Sequence, residues 1–483
     1  MKIKKREYIV NSEPFLKEAR KRRGIDVNYT DFLLDPRFIN LGAGEKYIVK
    51  TYGCQGNLAD SERICGLLEL LGYETTTDEM QADVVIFNTC AIREKAEERV
   101  FGEIGRFNKF RKKHPNMLIG ICGCMPQEER TVNTIKESYP YINMVFGTHN
   151  ITDLPELIFN AKKNNQKNII DVKSIEGNIY ENVPQVRDHP YQAWVNIMYG
   201  CDEFCTYCIV PYTRGKERSR KPEAILKEVD ELIEKGYQEI TLLGQNVNAY
   251  GKDFTDIKYS FADLLRALNK KSIARIRFTT SHPRDLDDDT IDAMALGGNI
   301  MPHLHLPVQS GNNRVLHAMN RKYTKEEYIE KINKLKEKIP GISITTDIIV
   351  AFPGETEEEF QDTISLVKEV GFEGGYTFIY SPREGTPAAK MENLLTLEQK
   401  HQRLDELNEA INEGFYNGRK RFENQILDVL VDGPSKNNPE MLCGYTPHNM
   451  LVNFEGTDDL IGKIIKIKIV KTFSWHMLGE VVK

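Results

Sequence analysis

Short apolar runs, each followed by a helix-length amphipathic stretch, recur through most of the chain. Between residues 46 and 160 the runs Tyr47–Tyr52, Val84–Phe87 and Met117–Ile121 predict strands. Between the first two, Ile64, Leu67, Leu68 and Leu71 stand at i, i+3, i+4, i+7 spacing and predict a helix that stops at Gly72. Strand–helix–strand order implies a parallel sheet with right-handed crossovers. Ligands of such sheets gather beyond the carboxyl ends of the strands.

Residues 161–188 are polar and Asn-rich and read as a linker. A second series follows. Strands are predicted at Ala193–Met198, Glu239–Leu243, Ile273–Thr279, His303–Val308, Ser343–Val350 and Tyr376–Tyr380, with helices such as Pro222–Lys235, Tyr323–Lys338 and Thr356–Val370 between them. Thr356 and Glu359 form a capping box at the last helix. Six strand–helix repeats are too few for a closed eight-fold barrel and suit an open, partial one, with functional groups in the loops after the strands. From about Gln425 the pattern turns to alternating strands (Ile426–Val431, Met450–Phe454, Ile464–Ile469) separated by turn residues, which reads as a small β-barrel. The fold class is therefore α/β: an N-terminal parallel-sheet domain, a central partial (β/α)6 barrel and a C-terminal β-barrel.

Composition narrows the setting. At 483 residues the chain buries ample core without cross-links. Its nine cysteines are too few for a disulfide scaffold, and the charged start Met1–Glu7 does not read as a secretory leader. No run approaches the roughly 20 apolar residues of a membrane span, so a reducing cytoplasm is the expected location, without a membrane partner. The net charge of −6 argues against wholesale coating of nucleic acid but allows a local basic face. Residues 1–44, with ten Lys or Arg including Lys21–Arg23, read as a solvated or partly disordered arm. Thr213–Lys221 holds five basic residues and one acid, and follows directly on a group of cysteines.

That group, Cys201, Cys205 and Cys208, has the spacing C-x3-C-x2-C after the first barrel strand. A zinc site would need a fourth nearby ligand, and a disulfide would leave an odd thiol. Three thiolates suit a four-iron cluster whose remaining iron is open to substrate. A second, dispersed triplet, Cys54, Cys90 and Cys124, lies just past three predicted strand ends, so sequence separation need not keep these residues apart in space. Two such clusters suggest chemistry that needs both a radical and a sulfur source.

The compact triplet resembles the radical S-adenosylmethionine (SAM) superfamily, and the resemblance extends over nearly everything after residue 45. Residues 46–163 resemble the methylthiotransferase amino-terminal domain, 187–419 the radical SAM core and 422–483 a TRAM RNA-binding domain, leaving 1–45 as an extension outside it. The stretches Thr51–Asn57, Asn88–Arg93, Cys208–Gly215, Leu243–Tyr250, Thr280–Pro283, Leu306–Gly311 and Phe352–Thr356 resemble the tRNA branch of the radical SAM methylthiotransferases, the MiaB type. The resemblance implies two [4Fe–4S] clusters, one on Cys201, Cys205 and Cys208 with SAM at its open iron, the other on Cys54, Cys90 and Cys124. It implies that one SAM yields a 5′-deoxyadenosyl radical that removes the C2 hydrogen of N6-isopentenyladenosine at position 37 of a tRNA. A second SAM supplies the methyl of the methylthio group placed there. Partners implied are the tRNA carrying isopentenylated adenosine, an electron donor and a sulfur or cluster supplier; the chain is expected to act as a monomer. Alternatives are a threonylcarbamoyl-adenosine tRNA or a ribosomal protein as substrate, or a non-enzymatic RNA-binding protein with structural metal.

Other residues carry weaker expectations. Gln245 and Asn246 after the second barrel strand, and Gln309 and Ser310 after the fourth, are candidates to hold SAM, against plain turn-forming roles. Cys65, Cys122 and Cys443 read as core residues, Cys122 being the rival of Cys124 as a ligand. Phe204 and Tyr207 pack on the cofactor or simply within their loop. His282, His303 and His305 read as satisfied structural histidines. Arg214 and the basic residues after it are candidates for tRNA phosphates, against a solvated loop. No side chain is assigned a catalytic role. Gly56 departs from the methionine common after Cys-Gln in the family, and Tyr445 and Met450 stand where arginines are usual, which weakens phosphate binding by the last domain while leaving Tyr445 as a base-stacking candidate.

Overall fold

The computed structural model describes residues 8–21, 25–91, 94–163, 168–175 and 177–482. They form two compact units, one of residues 8–188, 198–202 and 208–220, the other of 189–197, 203–207 and 221–482.

The strands of the first unit are β1 (Tyr8–Ser12), β2 (Asn28–Asp31), β3 (Lys46–Tyr52), β4 (Glu74–Thr75), β5 (Val84–Thr89), β6 (Leu118–Gly123), β7 (Met144–Phe146), β8 (Asn168–Asp171) and β9 (Asn178–Glu181). Seven of them make a parallel sheet in the order β1-β8-β7-β6-β5-β3-β4, and β2 pairs with β9. Both central strands, β5 and β6, are buried along their whole length, as expected of parallel strands covered on both faces. Val84 and Ile86 pack on Ile64, Leu67 and Leu68 of helix Gln55–Leu70. Val85 and Phe87 pack on Val100, Ile104 and Phe107 of helix Glu94–Arg111.

Two expectations change here. The arm expected over residues 1–44 instead supplies β1, hydrogen-bonded to β8 at the sheet edge, and β2. The polar stretch read as a linker supplies β8 and β9, with Ile169, Ile170 and Ile179 buried. Asn168-Ile-Ile-Asp has only two apolar residues, too short a run to register as a strand; its partners in the sheet, not its own pattern, make it one. Arg22, Arg23 and part of the Lys162–Asn168 run lie outside the described residues.

Strand β10 (Gln192–Asn196) belongs to the second unit, and the chain returns to the first in β11 (Met198–Tyr199), paired antiparallel with β12 (Arg218–Ser219). The second unit continues with β13 (Glu239–Leu243), β14 (Arg275–Thr279), β15 (His303–His305), β16 (Ser343–Val350) and β17 (Gly374–Ile379). The parallel triplets β10-β13-β14 and β15-β16-β17 are joined where Met301 N donates to Ile276 O at 3.0 Å. Among the described residues β10 and β17 do not pair with each other, so the six strands form an open, partial barrel. The expected capping box is present: Glu359 N donates to Thr356 Oγ1 at 3.3 Å and Thr356 N donates to Glu359 Oε2 at 2.9 Å.

Strands β18 (Ile426–Pro434), β19 (Leu442–Tyr445), β20 (Leu451–Phe454), β21 (Ile464–Thr472) and β22 (Met477–Val481) close into a barrel in the order β18-β19-β20-β22-β21. Sequence pattern predicts three of the five and misses β19 and β22. Gly479, in the middle of β22, interrupts the apolar alternation because a Cβ there would lie 2.2 Å from Ile467 Cγ2.

Candidate functional site

In the first unit, register brings the dispersed cysteines together. Tyr52 pairs with Thr89, and Thr89 with Gly123, so β3, β5 and β6 end level with one another. Cys90 N then donates to Tyr52 O at 2.9 Å, and Cys124 N to Thr89 O at 2.8 Å. Gly123 has φ +95° and a Cβ on it would stand 2.3 Å from Thr89 O, so only glycine lets the chain turn toward Cys124 there. Cys54 caps helix Gln55–Leu70, and Asn57 from its first turn donates to Asn88 Oδ1 at 3.0 Å. Asn88 in return donates to Asn57 O at 2.8 Å and to Ser61 Oγ at 2.9 Å. This buried amide pair ties the Cys54 loop to the strand that delivers Cys90. Ile92 and Arg93, the end of the Asn88–Arg93 motif, lie outside the described residues.

The electrostatics suit thiolates. A hydrogen bond from Cys90 holds the Cys54 thiol well below its ordinary value, against burial and with help from the Arg214 guanidinium. Burial pushes Cys124 up, and Arg214 opposes it. Arg214 is itself buried and paired with Asp60 at 2.7 Å. A cation amid soft sulfur donors is the setting of a thiolate-ligated cluster. These three residues could hold a [4Fe–4S] cluster with one iron left open. Cys122 is fully buried within the apolar cluster of helix Gln55–Leu70, where burial keeps its thiol protonated, so its environment is that of a core residue. Cys65 and Cys443 likewise have thiols raised by burial.

The basic run after the compact triplet is not a solvated surface. Arg214 pairs with Asp60, Arg220 with Glu181 at 2.6 Å, and Lys216 donates to Ile25 O at 3.2 Å. Arg218 donates to Asn178 O at 3.2 Å. With Arg63, Tyr199 and His149, Arg214 and Arg218 also line a cavity of about 60 Å³. These cations face inward because β9 and helix Gln55–Leu70 bring carboxylates and carbonyls to meet them. Nothing in local sequence signals Asp60 as the partner of Arg214.

The residues of the compact triplet belong to both units. In the first, Cys201 is buried, its N–H donating to Gly215 O at 3.1 Å, and Cys208 is half-buried. In the second, Cys205 is buried and Arg321 Nη1 donates to its Sγ at 3.4 Å. Arg321 is held by Tyr323 Oη at 3.0 Å and Pro307 O at 2.9 Å. Phe204 has φ +49°, and its carbonyl accepts from Asn320 Nδ2 at 3.0 Å. Tyr207 packs beside Val315, Met319 and Phe352, as expected of loop packing.

Past the ends of β13 and β14 lies a second polar centre. Asn246 Nδ2 donates to Asp285 Oδ2 at 2.6 Å, and Lys252 Nζ pairs with Asp285 Oδ1 at 2.5 Å. Glu203, from inside the compact triplet, pairs with Arg284. His282, expected to be satisfied, is only half so: Nδ1 accepts from Arg284 N at 3.2 Å, while Nε2, 3.8 Å from Glu203 Oε2, has no hydrogen-bond partner among the described residues. Burial and the surrounding cations hold His282 far below the ordinary histidine value and therefore neutral. Glu203, His282 and Asp285 have the geometry of metal ligands, but Lys252, Arg284 and Lys322 already balance both carboxylates. The buried atoms Asn246 Oδ1, Asn248 Nδ2, Ser281 Oγ and Glu203 Oε2 also have no hydrogen-bond partner among the described residues. Such a concentration of unmet donors and acceptors suits a polar, zwitterionic cofactor such as SAM.

Of the remaining candidates, Gln245 is half-buried beside Asn246. Gln309 has φ +70° and bridges to β16, its N donating to Asp347 O at 2.9 Å. Ser310 is fully buried, 3.4 Å from Thr363 Oγ1 on helix Glu357–Val370. His303 and His305 both meet Thr345 Oγ1, at 3.2 and 3.0 Å. Met450 lies in the β-barrel core, which explains the departure from arginine, and Tyr445 is half-buried with its carbonyl accepting from Arg275 at 2.7 Å. Arg277 holds the same loop through Thr446 O at 2.7 Å and Pro447 O at 3.0 Å.

Comparison with known proteins agrees with this layout. Residues 195–367 match the radical SAM superfamily, 46–147 an uncharacterized protein family (UPF0004) and 420–482 the TRAM domain. The chain is 54% identical over 475 residues to a tRNA-2-methylthio-N(6)-dimethylallyladenosine synthase of Bacillus mycoides, covering 98% of this chain and 93% of that one. To the protein of that name in Bacillus subtilis it is 53% identical over 470 residues, covering 97% and 92%. Among solved structures, the radical SAM methyltransferase TsrM of Kitasatospora setae, with tryptophan and a SAM analogue bound, superposes with a TM-score of 0.51 at 14% identity, covering 72% of this chain and 75% of that one. That likeness concerns the fold alone. No described helix is long and apolar enough to cross a membrane.

Proposed function

We propose, from the premise that this chain belongs to the tRNA-2-methylthio-N(6)-dimethylallyladenosine synthase family, that it places a methylthio group on C2 of N6-isopentenyladenosine at position 37 of tRNA. The observation that carries the reading is the convergence of Cys54, Cys90 and Cys124 at the level ends of β3, β5 and β6. A radical enzyme that only abstracts hydrogen needs one cluster; a second three-thiolate site supplies a place for sulfur.

When bound, SAM and the [4Fe–4S] clusters supply homolytic C–H activation and sulfur transfer, chemistry that the side chains do not possess. The chain's own part is positional. Cys201, Cys205 and Cys208 hold one cluster, with the Arg321 guanidinium donating to Cys205 Sγ. Asn246, with the Glu203–His282–Asp285 group around it, binds the polar end of SAM; Gln245, Gln309 and Ser310 shape the neighbouring loops. Cys54, Cys90 and Cys124 hold the other cluster, with Arg214 balancing its charge. The C-terminal barrel, docked through Arg275 and Arg277, contributes to tRNA binding. The enzyme works as a cytoplasmic monomer fed by an external electron donor and a sulfur supplier.

The test is anaerobic turnover with isopentenylated tRNA, SAM and dithionite, followed by nucleoside mass spectrometry. The expected product is the isopentenylated adenosine gaining one methylthio group. Unchanged nucleoside from protein with a full complement of iron and acid-labile sulfide refutes the assignment.

A further inference from the structure

The second unit leaves two aromatic rings open on the face of β17 turned away from helix Leu397–Lys420. In β17, Thr377 Oγ1 donates to Asn408 on the covering helix Leu397–Lys420 at 2.6 Å, so by alternation Tyr376 and Phe378 lie on the other face. Their rings stack at 6.4 Å between centroids and 27° between planes, yet Tyr376 is 60% exposed and Phe378 38%. Apolar rings left open together on a sheet face mark a ligand surface rather than a core.

Asp347 and Ile349 on β16 are the register partners of Tyr376 and Phe378, so all four share this face. Asp347 Oδ2 lies 3.5 Å from His305 Nε2, whereas its buried Oδ1 has no hydrogen-bond partner among the described residues. A carboxylate oxygen in that state calls for a donor from outside the protein. Tyr445, on the docked edge of the β-barrel, has its hydroxyl raised mainly by burial, with Tyr376 among the neighbours that add to the shift.

We propose that Tyr376, Phe378 and Ile349 carry the purine and the apolar N6 substituent of an extruded nucleotide, and that Asp347 Oδ1 accepts its N6–H. The inference rests on the tRNA reading above and adds the residues that choose the base. Enzymes acting on a base read it out of the stack by aromatic contact and by hydrogen bonds to its edge. An N6-isopentenyl adenine offers one N–H donor and an apolar branch. A threonylcarbamoyl adenine ends in a carboxylate, which this face meets with another carboxylate and two rings.

The test is fluorescence-anisotropy binding of anticodon stem-loop RNAs to the full, cluster-loaded chain, with isopentenyladenosine, adenosine or threonylcarbamoyladenosine at the same position. Wild type is expected to prefer the isopentenylated RNA. Tyr376→Ala is expected to lose roughly tenfold in affinity for the isopentenylated RNA, the scale of one stacked base, and less for the unmodified RNA, whose adenine lacks the apolar branch that holds it over the rings. Tyr376→Phe should keep the preference. Asp347→Asn should narrow the gap to the threonylcarbamoylated RNA. If Tyr376→Ala and Asp347→Asn, with wild-type melting temperatures, keep the wild-type order of affinities, the inference is overturned while the tRNA reading stands. If wild type itself binds the isopentenylated and unmodified RNAs equally, the inference is overturned as well, while the tRNA reading stands or falls on turnover.

Discussion

Arg214 donates to Asp60 Oδ2 at 2.7 Å, with both side chains buried, and the guanidinium also faces Cys54 and Cys124. The residues are 154 positions apart in sequence. The pair therefore ties the segment after the compact triplet to the helix that begins at Cys54.

Breaking this pair from one side is expected to cost about 3–5 kcal/mol, because the remaining charge is buried without compensation. Arg214→Met and Asp60→Leu should each show that loss in urea denaturation of the metal-free chain, and the double variant should recover most of it. Single variants that lose no more than the about 0.5 kcal/mol typical of surface substitutions would contradict the role given to the pair.

Cys90→Ala is expected to purify with about four fewer irons, the content of one cluster held by three thiolates. Cys122→Ala should keep its iron and lose only about 1 kcal/mol of stability, the scale of a small deletion in a core. Anaerobic iron and sulfide analysis separates the two; equal iron loss in both would make Cys122 a ligand.

Arg321 should raise the reduction potential of the cluster proposed to be held in part by Cys205, because a positive hydrogen-bond donor at a sulfur favours added negative charge. Arg321→Leu is expected to shift the midpoint negative by on the order of 60 mV, a tenfold change for a one-electron couple. Arg321→Lys should shift it less. An EPR-monitored redox titration that finds no shift removes Arg321 from this role.

Acid should weaken the docked β-barrel through His448. Burial lowers this histidine from 6.5 to about 4, so the unfolded chain takes up a proton that the folded chain refuses between those values. Its contribution is constant above about pH 6.5 and is lost as pH falls toward 4, by no more than about 3.5 kcal/mol at 1.36 kcal/mol per unit. His282 and His303 are lowered too and add to the slope in the same direction. His448→Phe, which keeps the contact with Phe422 made at 4.7 Å, should flatten one proton's share of it in denaturation curves taken at pH 7.5 and 5. An unchanged slope would show that His448 is not responsible.

Particular elements show what was legible in advance. Helix Gln55–Leu70 was readable because its apolar face repeats at helical spacing, and Thr356 with Glu359 three positions on announced the start of helix Glu357–Val370. Strands β13 and β16 match their predicted limits at Glu239–Leu243 and Ser343–Val350, since strands covered by helices carry enough apolar residues to be seen. Strand β8 was not legible: two isoleucines between polar residues are a strand only because β1 and β7 stand on either side. The inward turn of Arg214 and Arg220 was hidden for the same reason, as their partners Asp60 and Glu181 come from other parts of the chain.

By itself the sequence determined the two cysteine triplets, the alternation of strand and helix that puts the dispersed one at strand ends, and the change to a small β-barrel after residue 425. These depend on spacing and periodicity, which are local. Folding alone makes Tyr52, Thr89 and Gly123 end level, brings a buried Asp60 to the arginine beside Cys54, and gives Asp347 a common face with Tyr376. Those depend on strand register and on desolvation of charges brought from distant positions, which no local pattern encodes.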